Sequence, residues 1–513
     1  MDVPTLKMKI TAKVQVISEA AAIALITALT YVIFLPRFYN FDGVACAMAV
    51  EIGKANQLFH GNHLVYGFTG FLFDRALRLV GYGGLTITSL QLLNVILASA
   101  AIGLFYILLR RISGERFCSL IFSLFAAVSF GYWFWAGEAQ VYPLSYVPLV
   151  AIFYLGVTRK VSAHPYAVAL LHMWAVAGHV LHVIFAAVIL YFIASESAGD
   201  KKLFARNFAK YAALLLGGMI VAYGVVAALA IRPADMRAFL HWLSGSATLH
   251  PGKAFQWHGA FGLAGIIEIF RTQYSLLVPF DYKYIGDYLT TAGYRALLMY
   301  AANTTLVVLG AILLVRLRHG WRQHRTVVIS SAVWLGVYFL FLSTWEPATL
   351  VYSLANVFPI WSIMFVVFYP AITGYGAKVA IVAALAVLTA ANLICAVSPL
   401  SDPLKNARLQ RMLQLRSATP PGSVIILSNS YDKVYVPYFA GRIPFYMSWF
   451  DEDAPAATLR LQGALRRYEN VFAIADAARE LKTRPDTGMA PVFTTTPIPW
   501  LFGIKNPGRD VPK

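Results

Sequence analysis

The sequence predicts a mainly α-helical, polytopic membrane protein of about eleven transmembrane helices, followed by a small α/β domain at the C-terminus. Hydrophobic residues make up 59% of the chain and charged residues only 13%, whereas a soluble domain carries about 25% charged residues. The apolar residues are grouped in runs of roughly 15 to 24 residues, the length of a helix that crosses a hydrocarbon core. After about residue 400 these runs stop and the composition becomes polar. A water-soluble enzyme is therefore excluded.

The apolar runs define the predicted transmembrane helices. Three lysines precede the first run, which is too long for the apolar core of a typical signal peptide, so we interpret it as a retained signal anchor. We expect helices near residues 15–36, 88–110, 116–135, 140–158, 165–178, 181–195, 211–231, 296–317, 326–344, 350–370 and 376–398.

The distribution of Lys and Arg predicts the orientation. Cations concentrate in the N-terminal segment and in alternate short loops, the last of which runs from Arg316 to Arg325. Because such loops stay in the cytoplasm, we expect a cytoplasmic N-terminus and an extracytoplasmic tail, in a bacterial inner membrane. The same loops account for the net charge of +18, so a nucleic-acid partner is not predicted.

This topology places three large pieces outside the membrane: the loops 37–86 and 232–295 and the tail 400–513, which follows a membrane domain over 1–399. The apolar stretch 63–82 contains three charged residues, so we expect it to form an interfacial helix. In the tail, Val424–Leu427 and 471–475 are typical of strands, and 456–468 is typical of a helix. The tail contains no glycine-rich phosphate loop.

Two acidic residues are the candidate catalytic groups. Asp42 follows the first predicted span, and Glu138 lies in the turn between the third and fourth spans, so both fall at the same membrane face. A carboxylate in a partly dry pocket has a raised pKa and suits a reaction in which an acceptor hydroxyl or amine must lose a proton. The structural alternative is that Asp42 caps a helix and Glu138 pairs with a cation.

Imidazole and aromatic groups form a second set of candidates, for substrate binding. His60 and His63 occupy a loop-to-helix junction, Tyr142 follows Glu138, and His179 and His182 lie at the outer turn between the fifth and sixth spans. For His60 and His63 the alternative is an interfacial hydrogen-bonding feature, and for His179 and His182 it is plain packing within the bundle. No Cys or carboxylate adjoins the histidines, and the three cysteines are scattered, so neither a metal nor another cofactor is predicted.

The outer loop 232–295 carries cations beside aromatic residues, which suits a lipid phosphate. The candidates are Arg271, Lys283 and Lys253. The alternative is general attraction to anionic lipid. Glu346, in the outer turn between the ninth and tenth spans, is a further substrate-binding candidate.

Together these features resemble the membrane glycosyltransferases of the GT-C fold, in particular bacterial relatives of protein O-mannosyltransferases and of aminoarabinose and galacturonosyl transferases. The resemblance implies an inverting transfer of a sugar from a polyprenyl phosphate, with Asp42 as the base. The acceptor class, whether glycan, lipid or protein, and the oligomeric state are not predicted. Gly43 follows Asp42 where the family commonly has a second acidic residue, so the division of labour between Asp42 and Glu138 stays open.

Two other functions account for part of the sequence. A transporter of lipid-linked saccharides would explain the many spans but not the large outer loops, and it predicts ionisable residues near the bilayer midplane, which are nearly absent. A polymerase or ligase of lipid-linked oligosaccharides shares the lipid carrier and the outer loops. It remains the main alternative.

Overall fold

The computed structural model describes residues 3–244, 262–279, 293–428, 432–484 and 492–505, and it is mainly helical. In the N-terminal part of the chain the α-helices are α1 (Val3–Ile33), α2 (Phe41–Ile52), α3 (Ala55–Leu58), α4 (Tyr66–Leu79), α5 (Thr86–Ser113), α6 (Arg116–Val128), α7 (Phe130–Ala136), α8 (Pro143–Val157), α9 (Pro165–Gly178), α10 (Ala186–Ser197) and α11 (Lys201–Val226). They continue with α12 (Met236–Leu243), α13 (Leu263–Ser275), α14 (Tyr294–Gln323), α15 (Arg325–Trp345), α16 (Val357–Phe368), α17 (Tyr375–Asn392) and α18 (Ser398–Ser401). Single-turn or two-turn 3₁₀ and π segments extend several of them, at Val180–Phe185, Ala227–Ile231, Leu350–Asn356, Tyr369–Ala371 and Leu393–Val397.

Each of the eleven apolar runs forms helix. Within the described residues, eight helical segments are long and apolar enough to cross a membrane, and the bent pair α6–α7 makes a ninth if it counts as one span. The remaining two runs form α8 and α9, of 15 and 14 residues, which extend only about 21–23 Å. The chain is therefore an integral membrane protein, and its described residues contain eight or nine helical segments long enough to span a membrane and two shorter apolar helices.

The third apolar run is broken rather than straight. α6 and α7 meet at an angle of 65°, because Ser129, with φ −55° and ψ 127°, leaves the helical conformation between them. The N–H groups of Phe130 and Gly131 that this break frees donate to the carbonyls of Leu277 and Leu276, at 3.2 and 2.9 Å. Backbone groups inside a bilayer must find such partners, and here a distant loop supplies them.

Loops that the cation pattern assigns to one side of the membrane also meet at one end of the bundle. The Arg116 guanidinium pairs with Glu19 of α1 at 2.9 Å. The Glu196 carboxylate accepts the main-chain N–H groups of Val161 and Ser162, at 3.1 and 2.7 Å. Glu19 lies near the N-terminal end of the first predicted span, and Glu196 directly follows the sixth, so each contact joins two span ends that the orientation rule assigns to the same side of the membrane. Which side that is stays a prediction.

The stretch expected at the interface forms α4, which is only 14 residues long. Its Asp74 is buried, pairs with Arg78 at 2.8 Å and accepts the Ser89 hydroxyl at 2.8 Å. Its other face exposes Leu72 and Leu79. One face that is polar and paired and another that is apolar and exposed are typical of a helix at a membrane interface.

The chain divides into two compact units. The first comprises Met1–Pro36 and Ala49–Ser401, and the second comprises Arg37–Met48 and Asp402–Lys513. The second unit therefore includes a short stretch that the sequence places in the first outer loop. Within this unit the Asn406 side-chain amide donates to the carbonyl of Phe38 at 3.0 Å, and the rings of Tyr39 and Phe439 lie 5.2 Å apart.

The second unit contains the predicted α/β tail. Its helices are α19 (Ala407–Ala418), α20 (Asp432–Tyr435), α21 (Ser448–Glu452), α22 (Ala454–Arg467) and α23 (Ala475–Thr483), and its strands are β1 (Val424–Leu427), β2 (Ile443–Tyr446), β3 (Val471–Ile474), β4 (Val492–Thr495) and β5 (Leu501–Lys505). The sheet order is β2-β1-β3-β5-β4, with β1, β2 and β3 parallel and β5 antiparallel to both of its neighbours. The interior strand β1, between β2 and β3, is buried along its whole length.

Candidate functional site

A side chain of the neighbouring helix α5 holds the turn that carries Glu138. Glu138 is fully buried. The Asn94 side-chain amide, on α5, donates to the carbonyls of Glu138 and Gln140, at 2.6 Å each. A Cβ atom on Gly137 would lie 2.4 Å from the ring of Pro36, so the turn also requires a glycine where it approaches the first span. The position of Glu138 is thus set by buried hydrogen bonds and close packing.

Asp42 lies in the second unit, in the first turn of α2. The helix-capping role is filled by a different residue, because the Asn40 side-chain oxygen accepts the N–H of Gly43 at 2.9 Å. Residue Asp42 as a whole is exposed, and no carboxylate–cation pair involving it occurs among the described residues. Protein nevertheless surrounds its carboxyl closely enough to displace water, which raises the pKa of the carboxyl above the ordinary value of 3.8.

Cys46 lies one turn further along α2, and its thiol also has a raised pKa. Burial, and secondly the negative charge of Asp42, raises the pKa of its thiol to about 12. The thiol is therefore protonated at neutral pH and a poor nucleophile. Asp42 remains the candidate reactive group at this end of α2.

His60 and His63 stack on each other, with ring centroids 4.2 Å apart. Their loop is pinned by main-chain hydrogen bonds, among them the N–H of Val180 to the carbonyl of Asn62 at 2.8 Å. Burial, together with the neighbouring imidazoles, holds the pKa of His63 well below its usual range. The hydrogen bond between Val180 and Asn62 brings the first outer loop against the turn that contains His179.

His179 and His182 lie at that turn. His179 packs against Tyr142, with ring centroids 4.7 Å apart, and its Nδ1 accepts the N–H of Leu181 at 3.1 Å. Burial lowers the pKa of His179 to about 3. Nδ1 of His182 lies 2.6 Å from the Tyr338 hydroxyl, whereas its buried Nε2 has no hydrogen-bond partner among the described residues. The described residues contain no group of three metal-ligating side chains.

Tyr352, in the segment Leu350–Asn356, extends this cluster. Its ring lies 5.7 Å from Tyr142, 6.0 Å from His179 and 4.6 Å from Trp345. Glu346 follows Trp345, and its carboxylate accepts the Thr349 hydroxyl at 3.2 Å. We call Tyr142, His179, His182, Trp345 and Tyr352 the imidazole–aromatic cluster.

Arg271 lies on α13, which packs against the same segment. The Thr272 hydroxyl donates to the carbonyl of Pro347 at 2.6 Å, and the Gln273 side-chain amide donates to the Ser353 hydroxyl at 2.8 Å. Arg271 itself is 39% exposed and pairs with Glu268 at 3.3 Å. α13 thus holds a solvent-accessible guanidinium at the end of the bundle that carries the cluster.

The structure therefore brings together most of the candidates from the first unit. A continuous set of contacts links the histidines, Tyr142 and the segment Leu350–Asn356, which closely follows Glu346. Glu138 lies four residues before Tyr142. Lys253 and Lys283 lie outside the described residues, and Asp42 belongs to the second unit. Sequence reasoning missed Asn94 and Tyr352. One feature of the sequence indicates Asn94: Gln91 and Asn94 are polar side chains one turn apart in an otherwise apolar span, where polar residues usually have a specific role.

Comparisons with known proteins identify the fold. No family model matches the chain, and no curated protein matches it. The crystal structure of ArnT from Cupriavidus metallidurans in the apo state matches with a TM-score of 0.59 and 10% identity, over 96% of this chain and 98% of that one. The structure of the same protein bound to undecaprenyl phosphate matches with a TM-score of 0.55 and 10% identity, over 95% and 97%. The chain therefore has the GT-C fold of membrane glycosyltransferases.

Proposed function

We propose that this chain is an inverting glycosyltransferase that takes a sugar from a polyprenyl-phosphate donor and passes it to an acceptor at the extracytoplasmic face of the membrane. The observation that carries the proposal is the whole-chain likeness to ArnT, which includes both the spans and the tail. One of the two ArnT structures is bound to undecaprenyl phosphate, and this supports a polyprenyl carrier for this chain as well.

The reaction sets three chemical requirements. An acceptor hydroxyl or amine attacks C1 of the sugar, and a new C1–O or C1–N bond forms as the C1–O bond to phosphate breaks. The bonding electron pair leaves with the polyprenyl phosphate, and the proton of the acceptor goes to a base. The protein must therefore supply a carboxylate, a cation for the phosphate and groups that hold the sugar.

We propose Asp42 as the base. Asn40 already caps α2, so helix capping does not explain Asp42. The residue is exposed and so accessible to an acceptor, and its raised pKa brings its basicity closer to that needed near neutral pH. A carboxylate with these two properties is typical of a general base.

We propose Glu138 as the second carboxylate, which orients the acceptor. The bonds from Asn94 hold its main chain at both ends of the turn, so the side chain is presented with little remaining freedom. The adjacent imidazole–aromatic cluster, together with His60 and His63, would hold the sugar. Neutral imidazoles both donate and accept hydrogen bonds, as sugar hydroxyls require.

We propose Arg271 as a ligand of the donor phosphate, with Lys253 and Lys283 as further candidates. An exposed guanidinium binds phosphate in a bidentate manner, and Arg271 keeps 39% of its side chain accessible beside Glu268. We propose that Glu346 contributes to the substrate site from the turn that leads to Tyr352, where its carboxylate accepts the Thr349 hydroxyl.

A donor comparison tests the proposed function. The purified full chain would be incubated with polyprenyl-monophosphate sugars and, separately, with diphosphate-linked oligosaccharides, each with a cell-envelope extract as the acceptor. Release of polyprenyl monophosphate with inversion at C1 is the expected result. Consumption of the diphosphate-linked donor alone would instead identify a polymerase or ligase.

A further inference from the structure

A groove of about 620 Å³ lies between α14 and α17, away from the candidate site. Its walls include Thr305, Val308 and Ile312 of α14 and Ala380 and Ala384 of α17. On α14 the lining residues recur every four positions from 304 to 316, so they share one helix face. The twelve helical steps from 304 to 316 make the groove about 18 Å long.

The groove faces the bilayer rather than water. Both helices that form it are candidate membrane spans, and Val308 and Ala380 are exposed on them. The Thr305 hydroxyl donates to the carbonyl of Ala301 at 2.8 Å, so this donor needs no hydrogen-bond acceptor from a bound molecule. Small side chains on α17, with Val308, Leu309 and Ile312 on α14, make the trough mainly apolar between its ends, which suits a hydrocarbon chain.

Arg316 closes one end of this trough. It is exposed, it lines the groove, and no ion pair or hydrogen bond of its side chain occurs among the described residues. At the same end, His324 lies 2.7 Å from the Tyr369 hydroxyl. A cation at the mouth of an apolar groove is complementary to a lipid with an anionic head group.

This end of the bundle lies opposite the candidate site. α15 begins at Arg325, next to the end of α14, and finishes at Trp345 in the imidazole–aromatic cluster. Its 21 residues extend about 30 Å, which is the thickness of a hydrocarbon core. A carrier lipid that reacts at the cluster would hold its phosphate in the other leaflet.

We propose that the α14–α17 groove binds an anionic phospholipid of the leaflet at the Arg316 end, with one acyl chain between the helices and the phosphate on Arg316. The lipid fills space that side chains leave open and neutralises a cation that no described carboxylate pairs. The site is independent of the proposed catalytic function, since it uses other residues and the opposite leaflet.

Photolabelling tests this site. The purified full chain would be reconstituted in phosphatidylcholine vesicles that contain phosphatidylglycerol with a diazirine on its acyl chain, and labelled peptides would be mapped by mass spectrometry. We expect label on 304–316 and 377–387. Arg316→Ala should lower it about fivefold, because a basic residue near an anionic lipid contributes about 1 kcal/mol.

Three further variants sharpen the result. Arg316→Lys should retain most of the label, and Arg318→Ala, which removes an exposed arginine two residues away, should retain all of it. Ala380→Phe should abolish the label by filling the groove without a change of charge. Equal labelling by the phosphatidylcholine analogue, no effect of Arg316→Ala, or stronger competition by polyprenyl phosphate than by phosphatidylglycerol would each overturn the proposal.

Discussion

The Asn94 side-chain amide donates to the main-chain carbonyl of Glu138 at 2.6 Å, across 44 residues of sequence. The same amide also donates to the carbonyl of Gln140 at 2.6 Å. A residue inside a span therefore holds both ends of the turn from which the candidate carboxylate projects. This relationship makes Asn94 a positioning residue in the proposed site.

Asn94→Ala should both destabilise the protein and lower its turnover. The substitution leaves two buried carbonyls without their donor, which costs about 1–3 kcal/mol. It also frees the turn of Glu138, so turnover should fall further than the loss of folded protein explains. Thermal unfolding in detergent and turnover per folded molecule measure the two effects separately.

Asn392 offers the matched control. Its side-chain amide likewise donates to two carbonyls, those of Val128 and Leu277, at 2.8 Å each. Asn392→Ala should lower the unfolding temperature to a similar extent and leave turnover per folded molecule nearly unchanged. Equal turnover losses in the two variants would show that Asn94 has only a structural role.

Arg271→Ala should weaken donor binding. A charge-assisted hydrogen bond to phosphate contributes about 1.5–3 kcal/mol, so the apparent donor affinity should fall about tenfold to hundredfold. Arg237→Ala, which removes another exposed arginine of the same outer loop, should have little effect. Donor titrations of both variants check this, and unchanged donor affinity in Arg271→Ala would place the phosphate elsewhere.

The pH dependence of turnover should report Asp42. A base must be ionised, so turnover should rise as the pH rises through the raised pKa of Asp42, above the ordinary 3.8. The pKa of His179, at about 3, keeps its imidazole neutral at working pH, so His179→Gln should not move this limb. Asp42→Asn should remove it. An unaltered acidic limb in Asp42→Asn would assign the limb to another group.

The tail should be accessible from outside the cell. Ala418 is exposed on α19, and a cysteine in its place should react with a membrane-impermeant maleimide in intact cells. A cysteine at His319, in the cation-rich C-terminal part of α14, should react only after lysis. Cys46 contributes little background, because its raised pKa leaves few thiolates. The reverse labelling pattern would invert the topology.

The sequence predicted those parts of the fold that depend on local pattern. Apolar runs located the helices, and the β-branched run Val424–Leu427 located β1. The break at Ser129 was not predictable, since the carbonyls that stabilise it come from Leu276 and Leu277. β2 was missed because Pro444 interrupts its pattern, although an edge strand tolerates proline.

The same distinction holds for the candidate site. Glu138 and Tyr142 stand out in the sequence because a polar turn separates two apolar runs. Their partners, Asn94 and Tyr352, do not stand out in the sequence, because they come from other helical segments. The grouping of Arg37–Met48 with the tail depends on Asn406, which lies 368 residues from Phe38. Contacts at such separations leave no local pattern.

Asp42→Asn should remove the proposed base without harm to the fold. Because the pKa of Asp42 is raised in the folded protein, its stabilising contribution is present below the unfolded pKa and is lost as the pH rises through the folded pKa. At neutral pH the ionised carboxylate therefore opposes folding. The Asn variant should be at least as stable as the natural protein at pH 7, as measured by thermal unfolding.

The turnover of purified Asp42→Asn, with polyprenyl-monophosphate sugar and acceptor both saturating, tests the central claim most directly. Loss of a positioned general base costs about 10²–10⁴-fold, so we expect a decrease of that size in the release of polyprenyl monophosphate, while donor binding is retained and Glu138→Gln is milder. Near-natural turnover in Asp42→Asn would contradict the assignment of Asp42 as the base. If Glu138→Gln were inactive in the same assay, the roles of the two carboxylates would be exchanged.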